Sequence, residues 1–272
     1  MDTGVPRLWL ASLSGRSDAA WATRASRVAD AAVLGGIALD RPTREAAREM
    51  AERDREEFLP ADPVAFLDRQ LSALAGSGLG AGVNVRAVDP DAVRAAARTC
   101  GAHGAVLEVN AHCRQEEMCA AGAGQTLLRD PRRLREQVAA AADTGAEVGV
   151  KLRTEVPGVD LPAVAAAAVE AGAGILHVDA MDSEGEVARV VRAARSAAGG
   201  ASEVTVVANN GVRDDATTRE YLAYGADAVS VGRASDQPAV LRRVHAALSA
   251  WFEGRGPAGG RATRDRPPEV RR

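Results

Sequence analysis

Glu147-Val-Gly-Val-Lys-Leu-Arg153 is a short apolar run. It is followed by an alanine-rich amphipathic stretch over residues 161–172 and by a second apolar run, Gly174-Ile-Leu-His-Val178. A strand-length run, a helical pattern and another strand-length run form a strand–helix–strand unit, whose two strands lie parallel. The same alternation continues in both directions. It predicts eight strands, at 8–11, 33–39, 80–85, 105–110, 147–152, 174–178, 203–208 and 228–231. Helical patterns lie between and after them, near 18–31, 64–76, 90–101, 131–144, 161–172, 184–198, 214–224 and 236–253. Asp130 before Pro131, Asp214 before its helix, and Gly172 and Gly225 past helix ends punctuate the pattern as caps.

Eight strands each followed by a helix, with no antiparallel meander, predict an α/β fold, a single (β/α)8 TIM barrel. A doubly wound sheet would carry a glycine-rich dinucleotide turn after its first strand, and Leu13-Ser-Gly-Arg-Ser17 is not one. Two connections are long. Residues 40–63 insert a charged helix after strand two, and residues 110–130 form a glycine-rich loop after strand four. Long loops in compact domains tend to be functional or disordered. The barrel is expected to span 1–253, with a disordered basic tail over 254–272.

Composition narrows the function. Of 272 residues, 46% are hydrophobic and 26% charged, which supports a large core and excludes a disordered profile. Aromatics reach only 3%, too few for the stacking platforms of single-strand nucleic-acid binders. A net charge of −3 argues against whole-surface attraction to polyanions. No apolar run is long enough for a membrane span and no basic-then-apolar leader opens the chain, so a cytoplasmic protein with no membrane partner is expected. The three cysteines, Cys100, Cys113 and Cys119, fit no disulfide framework. Together with His103 and His112 they show no paired metal spacing, and no metal site is expected.

The alternation of strand side chains places a polar set inside the barrel toward the C-terminal strand ends: Asn84, Glu108, Asn110, Lys151, Arg153, His177, Asp179, Asn209 and Ser230. Barrel interiors are normally filled by Val, Ile and Leu, so polar groups there need a ligand or one another. Lys151 is the single lysine of the chain. Every other member of the 34 Lys+Arg residues is arginine. An ammonium is a compact donor that arginine does not replace, and Lys151 is read as the centre of a polar ligand site. Val207-Ala-Asn-Asn-Gly-Val212 and Val231-Gly-Arg-Ala-Ser235 follow strands seven and eight, where barrels commonly bind phosphate. There Gly211 and Gly232 permit close backbone approach, and Arg233 can add a bidentate contact.

Val109-Asn-Ala-His-Cys-Arg-Gln-Glu-Glu-Met-Cys-Ala-Ala-Gly-Ala-Gly-Gln-Thr-Leu-Leu-Arg-Asp130 resembles the signature of dihydrouridine synthases: an Asn, two residues, a Cys, then Gly-x-Gly-x-x-Leu-Leu and Arg-Asp. Leu10-Ala-Ser-Leu-Ser-Gly-Arg-Ser-Asp18 is similar to the family's opening turn and Val150-Lys-Leu-Arg153 to its lysine strand. Val207-Ala-Asn-Asn-Gly211 and Gly232-Arg233 are similar to its FMN phosphate segments. The Asn-Ala-His-Cys-Arg-Gln variant is most similar to an archaeal branch.

The resemblance implies an FMN barrel, with NADPH or NADH as reductant, in which reduced flavin delivers hydride to a uracil ring. It implies Cys113 as general acid, a role open to a thiol because it is ordinarily protonated at neutral pH. Lys151 is implied as a second catalytic residue touching the flavin, where a cation stabilises the anionic reduced form. Ser12, Leu13, Ser14 and Asn84 are implied around the ring system, Asp179, Asn209, Asn210, Gly211, Gly232 and Arg233 as further cofactor residues, and Asn110, His112 and Arg114 beside the substrate. Three departures are visible. Asp179-Ala-Met-Asp182 replaces the family's His-Gly-Arg-Thr, and Arg114 replaces the proline after the cysteine. The pattern also closes near residue 253, so a member without the C-terminal helical tRNA-gripping domain is expected. The implied substrate is tRNA, or else a free pyrimidine or other small unsaturated ring. A separate RNA-binding partner or a homo-oligomer could then supply the missing grip. Two other readings remain open: from the residues, a Schiff-base aldolase using Lys151, and, within the resemblance, a flavin barrel that binds a partner without turnover.

Overall fold

Eight parallel strands close into one barrel in chain order, each hydrogen-bonded to the next and the last to the first. The computed structural model describes residues 5–199 and 204–254. The strands are β1 (Leu8–Leu10), β2 (Ala31–Ala38), β3 (Gly80–Arg86), β4 (Val106–Asn110), β5 (Val148–Arg153), β6 (Ile175–Asp179), β7 (Thr205–Asn209) and β8 (Ala228–Val231). The helices are α1 (Ala19–Arg24), α2 (Arg41–Glu52), α3 (Pro63–Leu74), α4 (Pro90–Ala102), α5 (Glu116–Ala120), α6 (Pro131–Ala142), α7 (Leu161–Glu170), α8 (Glu186–Ala197), α9 (Asp215–Ala223) and α10 (Pro238–Glu253).

Period-two alternation splits each strand. Outward residues such as Leu10, Val83, Leu107, Val150, Leu176, Val206 and Val229 join the helices in the main core. Inward, Trp9, Ala31, Val33, Val106, Ile175, Val207 and Ala228 form a small apolar plug at the N-terminal end. Above that plug the interior turns polar. Helix starts are set by aspartates. Asp18, Asp40, Asp62, Asp89, Asp130, Asp160 and Asp214 each accept a backbone N–H of the first turn, an arrangement worth ~1 kcal/mol apiece.

The expected barrel and the helix inserted after strand two are both present, the latter as α2. Most boundaries shift by one or two residues, and two segments differ more. The helix expected over 18–31 stops at Arg24 and β2 starts at Ala31, because Asp30 accepts the N–H groups of both Arg7 and Leu8. Its own N–H goes to the Leu8 carbonyl, so the segment is drawn into the start of the sheet. The loop after β4 is partly ordered as α5 and a 3₁₀ turn, Gly124–Leu128. The predicted start of strand seven at Glu203 and the expected tail past Gly254 lie outside the described residues.

Candidate active site

A continuous polar chain crosses the barrel interior above the apolar plug. Ser230 Oγ lies 2.6 Å from His177 Nε2, and His177 Nδ1 lies 2.7 Å from Glu108 Oε2. Asn84 Nδ2 donates to Glu108 Oε1 at 2.7 Å, and Asn110 Nδ2 donates to Asn84 Oδ1 at 2.8 Å. Asn110 Oδ1 then accepts the backbone N–H of His112 at 3.1 Å and of Cys113 at 2.8 Å. Glu108, His177, Asn84 and Ser230 are all essentially inaccessible to solvent.

The charges in this chain follow from its neighbours. Burial works against the Glu108 carboxylate, but His177, Lys151 and Asn84 outweigh it and hold the carboxyl down at about 2. His177 is pushed below its ordinary range by burial and then by Lys151, against the pull of Glu108. A neutral imidazole beside a carboxylate carries its proton on the nitrogen facing it. Nδ1–H therefore donates to Glu108, and Nε2 accepts the Ser230 hydroxyl proton.

Lys151 reaches into the same space from β5, with its backbone in register with Asn110 on one side and His177 on the other. Its side chain is buried. Among the described residues its ammonium has no hydrogen bond or ion pair, and it acts on Glu108, His177, His112 and Asp179 through its charge alone. Two strand positions above it, Arg153 is also buried, with its Nε 3.4 Å from the Thr154 carbonyl and an open groove beside it lined in part by Glu155, Ser183 and Arg189.

Cys113 is clamped at both ends of its peptide. Asn110 Oδ1 holds its N–H, and its carbonyl accepts from Gln125 N–H at 2.8 Å and from the Cys119 thiol at 3.6 Å. Its side chain packs with Ala38, Ala46, Ala47 and Met50 of the β2–α2 segment and with Met118 and Ala123 of its own loop. The charged insertion thus carries an apolar inner face that closes over the cysteine. Half-buried His112 Nε2 lies 2.6 Å from Asp179 Oδ2, joining the loop after β4 to the end of β6. Burial would raise the Asp179 carboxyl, yet His112 and Lys151 hold it at about 2, while burial keeps His112 below its ordinary range.

The loops after β7 and β8 leave open space around their glycines. A Cβ at Gly211 would meet nothing within 4 Å, and one at Gly232 only the Ala11 methyl at 4.0 Å. Asn210 takes a positive φ of 92° and its amide donates to the Met181 carbonyl at 2.6 Å. Asn209 donates to the Ser230 carbonyl at 3.1 Å. Ser235, in the 3₁₀ turn Arg233–Asp236, has a buried hydroxyl with no hydrogen-bond partner among the described residues. Open glycine backbone and an orphaned buried hydroxyl fit a bound phosphate group such as that of FMN. Arg233 is exposed at the start of that turn, and Arg114 is exposed on the Cys113 loop.

On the β1 side, Ser12, Leu13 and Ser14 form a tight loop in which Ser17 Oγ accepts the Leu13 N–H at 2.8 Å. Ser14 Oγ accepts from Arg86, whose guanidinium also pairs with the buried Glu57 carboxylate at 2.7 Å. The sequence reading did not include Arg86 or Glu57. Alternation along β3 would have put Arg86 on the inner face with Asn84, but a strand ended at Val85 leaves it out. Glu57 sits in a charged run with no period and carries no signal. Nor was Arg16 singled out, which clasps Asp236 at 2.8 Å and Glu56 at 3.5 Å and so ties the first loop to the last.

Comparison with known proteins finds a matching family model, one relative and a set of barrels of similar fold. The family model described as Dihydrouridine synthase (Dus) matches residues 37–261. A Methanocaldococcus jannaschii protein, MJ0144, is 28% identical over 146 residues, which cover 53% of this chain and 57% of that protein. Among solved structures, DHODH from Eimeria tenella in complex with ferulenol superposes with a TM-score of 0.67 at 16% identity, covering 92% of this chain and 82% of that one. 3-Hexulose-6-phosphate synthase from Salmonella typhimurium gives 0.52 at 16% identity, covering 90% and 99%. At these identities the solved structures share the barrel and no more.

Proposed function

This chain belongs to the dihydrouridine synthase family, and we propose that it is an FMN-dependent oxidoreductase that reduces the C5=C6 bond of a uracil ring in tRNA. The observation that carries the reading is the placement of Cys113, clamped on the loop leaving β4 while Lys151 stands beside that strand on β5. FMN, reduced by NADPH or NADH, would supply the hydride. The chain's own residues do the rest. The Cys113 thiol gives its proton to the neighbouring ring carbon, so that one hydride and one proton complete the reduction. Lys151 brings a buried cation to the place where negative charge gathers on the flavin. The β7 and β8 loops, with Gly211, Gly232 and Ser235, hold the cofactor phosphate, and Arg233 adds a cation at its rim. Ser12, Leu13 and Ser14 line the ring system from β1. Asn110 has its carbonyl oxygen fully committed to the loop, and its second amide hydrogen, unpartnered among the described residues, would meet a uracil carbonyl. His112, braced by Asp179, and Arg114 flank the entry.

The test is to release and identify any flavin from the purified protein, then offer the reduced protein unmodified tRNA. FMN release and dihydrouridine formation support the proposal. Reoxidation by free pyrimidines but not by tRNA would move the substrate to a small ring. A protein that takes up no FMN sinks the reading and brings Schiff-base trapping at Lys151 forward.

A further inference from the structure

The amide chain from Glu108 to Cys113 has a direction, set at one end by Glu108 and matched at the other by the N–H groups of the loop. An ionised carboxylate only accepts hydrogen bonds. Glu108 therefore forces Asn84 to turn its NH2 toward it, which leaves Asn84 Oδ1 facing Asn110. Asn110 must answer with its own NH2, and its Oδ1 is thereby aimed at the N–H groups of His112 and Cys113. Were either amide reversed, an NH2 would face those two N–H groups and both bonds to the loop would be lost. We propose that Glu108 is a positioning residue for Cys113, fixing through Asn84 and Asn110 the polarity that holds the cysteine loop in place. The proposal rests on the reading of Cys113 as proton donor, since only then does the loop's placement matter to the reaction.

The other end of the chain makes the idea testable. His177 donates Nδ1–H to Glu108 and accepts from Ser230 at Nε2. A glutamine at 108 can keep Asn84 in its present orientation only by turning its own NH2 toward His177. His177 must then move its proton to Nε2 and donate to Ser230 Oγ. In Glu108→Gln the proton is thus expected to switch ring nitrogens while the Cys113 loop stays as it is. In the alternative arrangement the glutamine leaves Nδ1–H on His177, both asparagines reverse, and the loop loses its two bonds.

The experiment uses the purified full chain. The 15N shifts of the imidazoles report which nitrogen carries the proton, and only four histidines must be assigned. Iodoacetamide labelling read at the Cys113 peptide by mass spectrometry reports the loop. Wild type is expected to show Nδ1–H at His177, and Glu108→Gln to show Nε2–H with Cys113 labelling close to wild type. The reversed arrangement would instead keep Nδ1–H at His177 and label Cys113 about thirtyfold faster, equivalent to ~2 kcal/mol or the two lost hydrogen bonds, and would support the same coupling. A His177 that keeps Nδ1–H in Glu108→Gln without a change at Cys113 overturns the proposal. Turnover by Cys113→Ala would remove the proton-donor premise, and with it the positioning role, even where the labelling result holds.

Discussion

Gly124 lies directly beneath Cys113: a Cβ on residue 124 would stand 2.3 Å from the Cys113 carbonyl oxygen and 3.1 Å from its Cβ. The glycine also takes a φ of +63°, a conformation that L side chains avoid. Gly124→Ala is expected to displace the cysteine loop and cost on the order of 1–3 kcal/mol from strain alone. A lowered Tm with flavin retained and turnover lost is the expected pattern. Unchanged turnover would show that the loop's position is not used.

Removing the thiol separates chemistry from binding. Cys113→Ala should leave cofactor content unchanged and reduce product formation by about 10²–10⁴-fold, the range of a positioned general acid. Single-turnover assays with prereduced protein read this directly, and a rate equal to wild type would end the acid assignment.

Lys151→Arg keeps the charge and changes its shape. A planar guanidinium in a buried site shaped around an ammonium should weaken flavin binding or move its reduction potential, read by titration and spectroelectrochemistry. A variant equal to wild type in both would make the single lysine incidental.

The buried ion pair between Arg86 and Glu57 is a liability when halved. Arg86→Met leaves the Glu57 carboxylate unpaired, and the expected loss is roughly 3–5 kcal/mol by chemical denaturation. Adding Glu57→Leu should recover much of that loss. Equal stability for the single and double variants would mean that the pair is already solvated.

Acid should weaken the fold from below neutrality. Glu108 and Asp179 are held at about 2, under their ordinary range, and His112 and His177 are also lowered. All four therefore bind fewer protons folded than unfolded, so stability rises with pH wherever the unfolded state protonates. The histidine contribution is present above their ordinary pKa and fades as pH falls through it. The carboxylate contribution fades between their ordinary range and about 2. Denaturation midpoints measured from pH 7 to pH 3 should fall in that order, and less steeply in His177→Gln.

Strand periodicity carried most of the architecture and much of the site. Alternation along β4, β5 and β6 puts Glu108, Asn110, Lys151, His177 and Asp179 on the inner face, and the structure places them there. What periodicity cannot show is pairing. That Glu108 serves His177 and Asn84, leaving Lys151 without a hydrogen-bond or ion-pair partner among the described residues, depends on the stagger between strands and is invisible in one strand's pattern. Helix α1 was overdrawn because alanine and arginine favour helix locally, while Asp30 is claimed by β1 through tertiary hydrogen bonds. Glu57 and Arg16 act across loops, where no repeat announces a contact.

The burial of Lys151 has a consequence for labelling the molecule. Because this is the single lysine, the outer surface presents no side-chain amine at all. Amine-selective acylation, which scatters over most proteins, can strike here only the chain terminus or the mouth of the barrel. A reagent of graded size then becomes a gauge of how wide that mouth opens, and protection of the lysine by an added small molecule becomes a direct assay for occupancy.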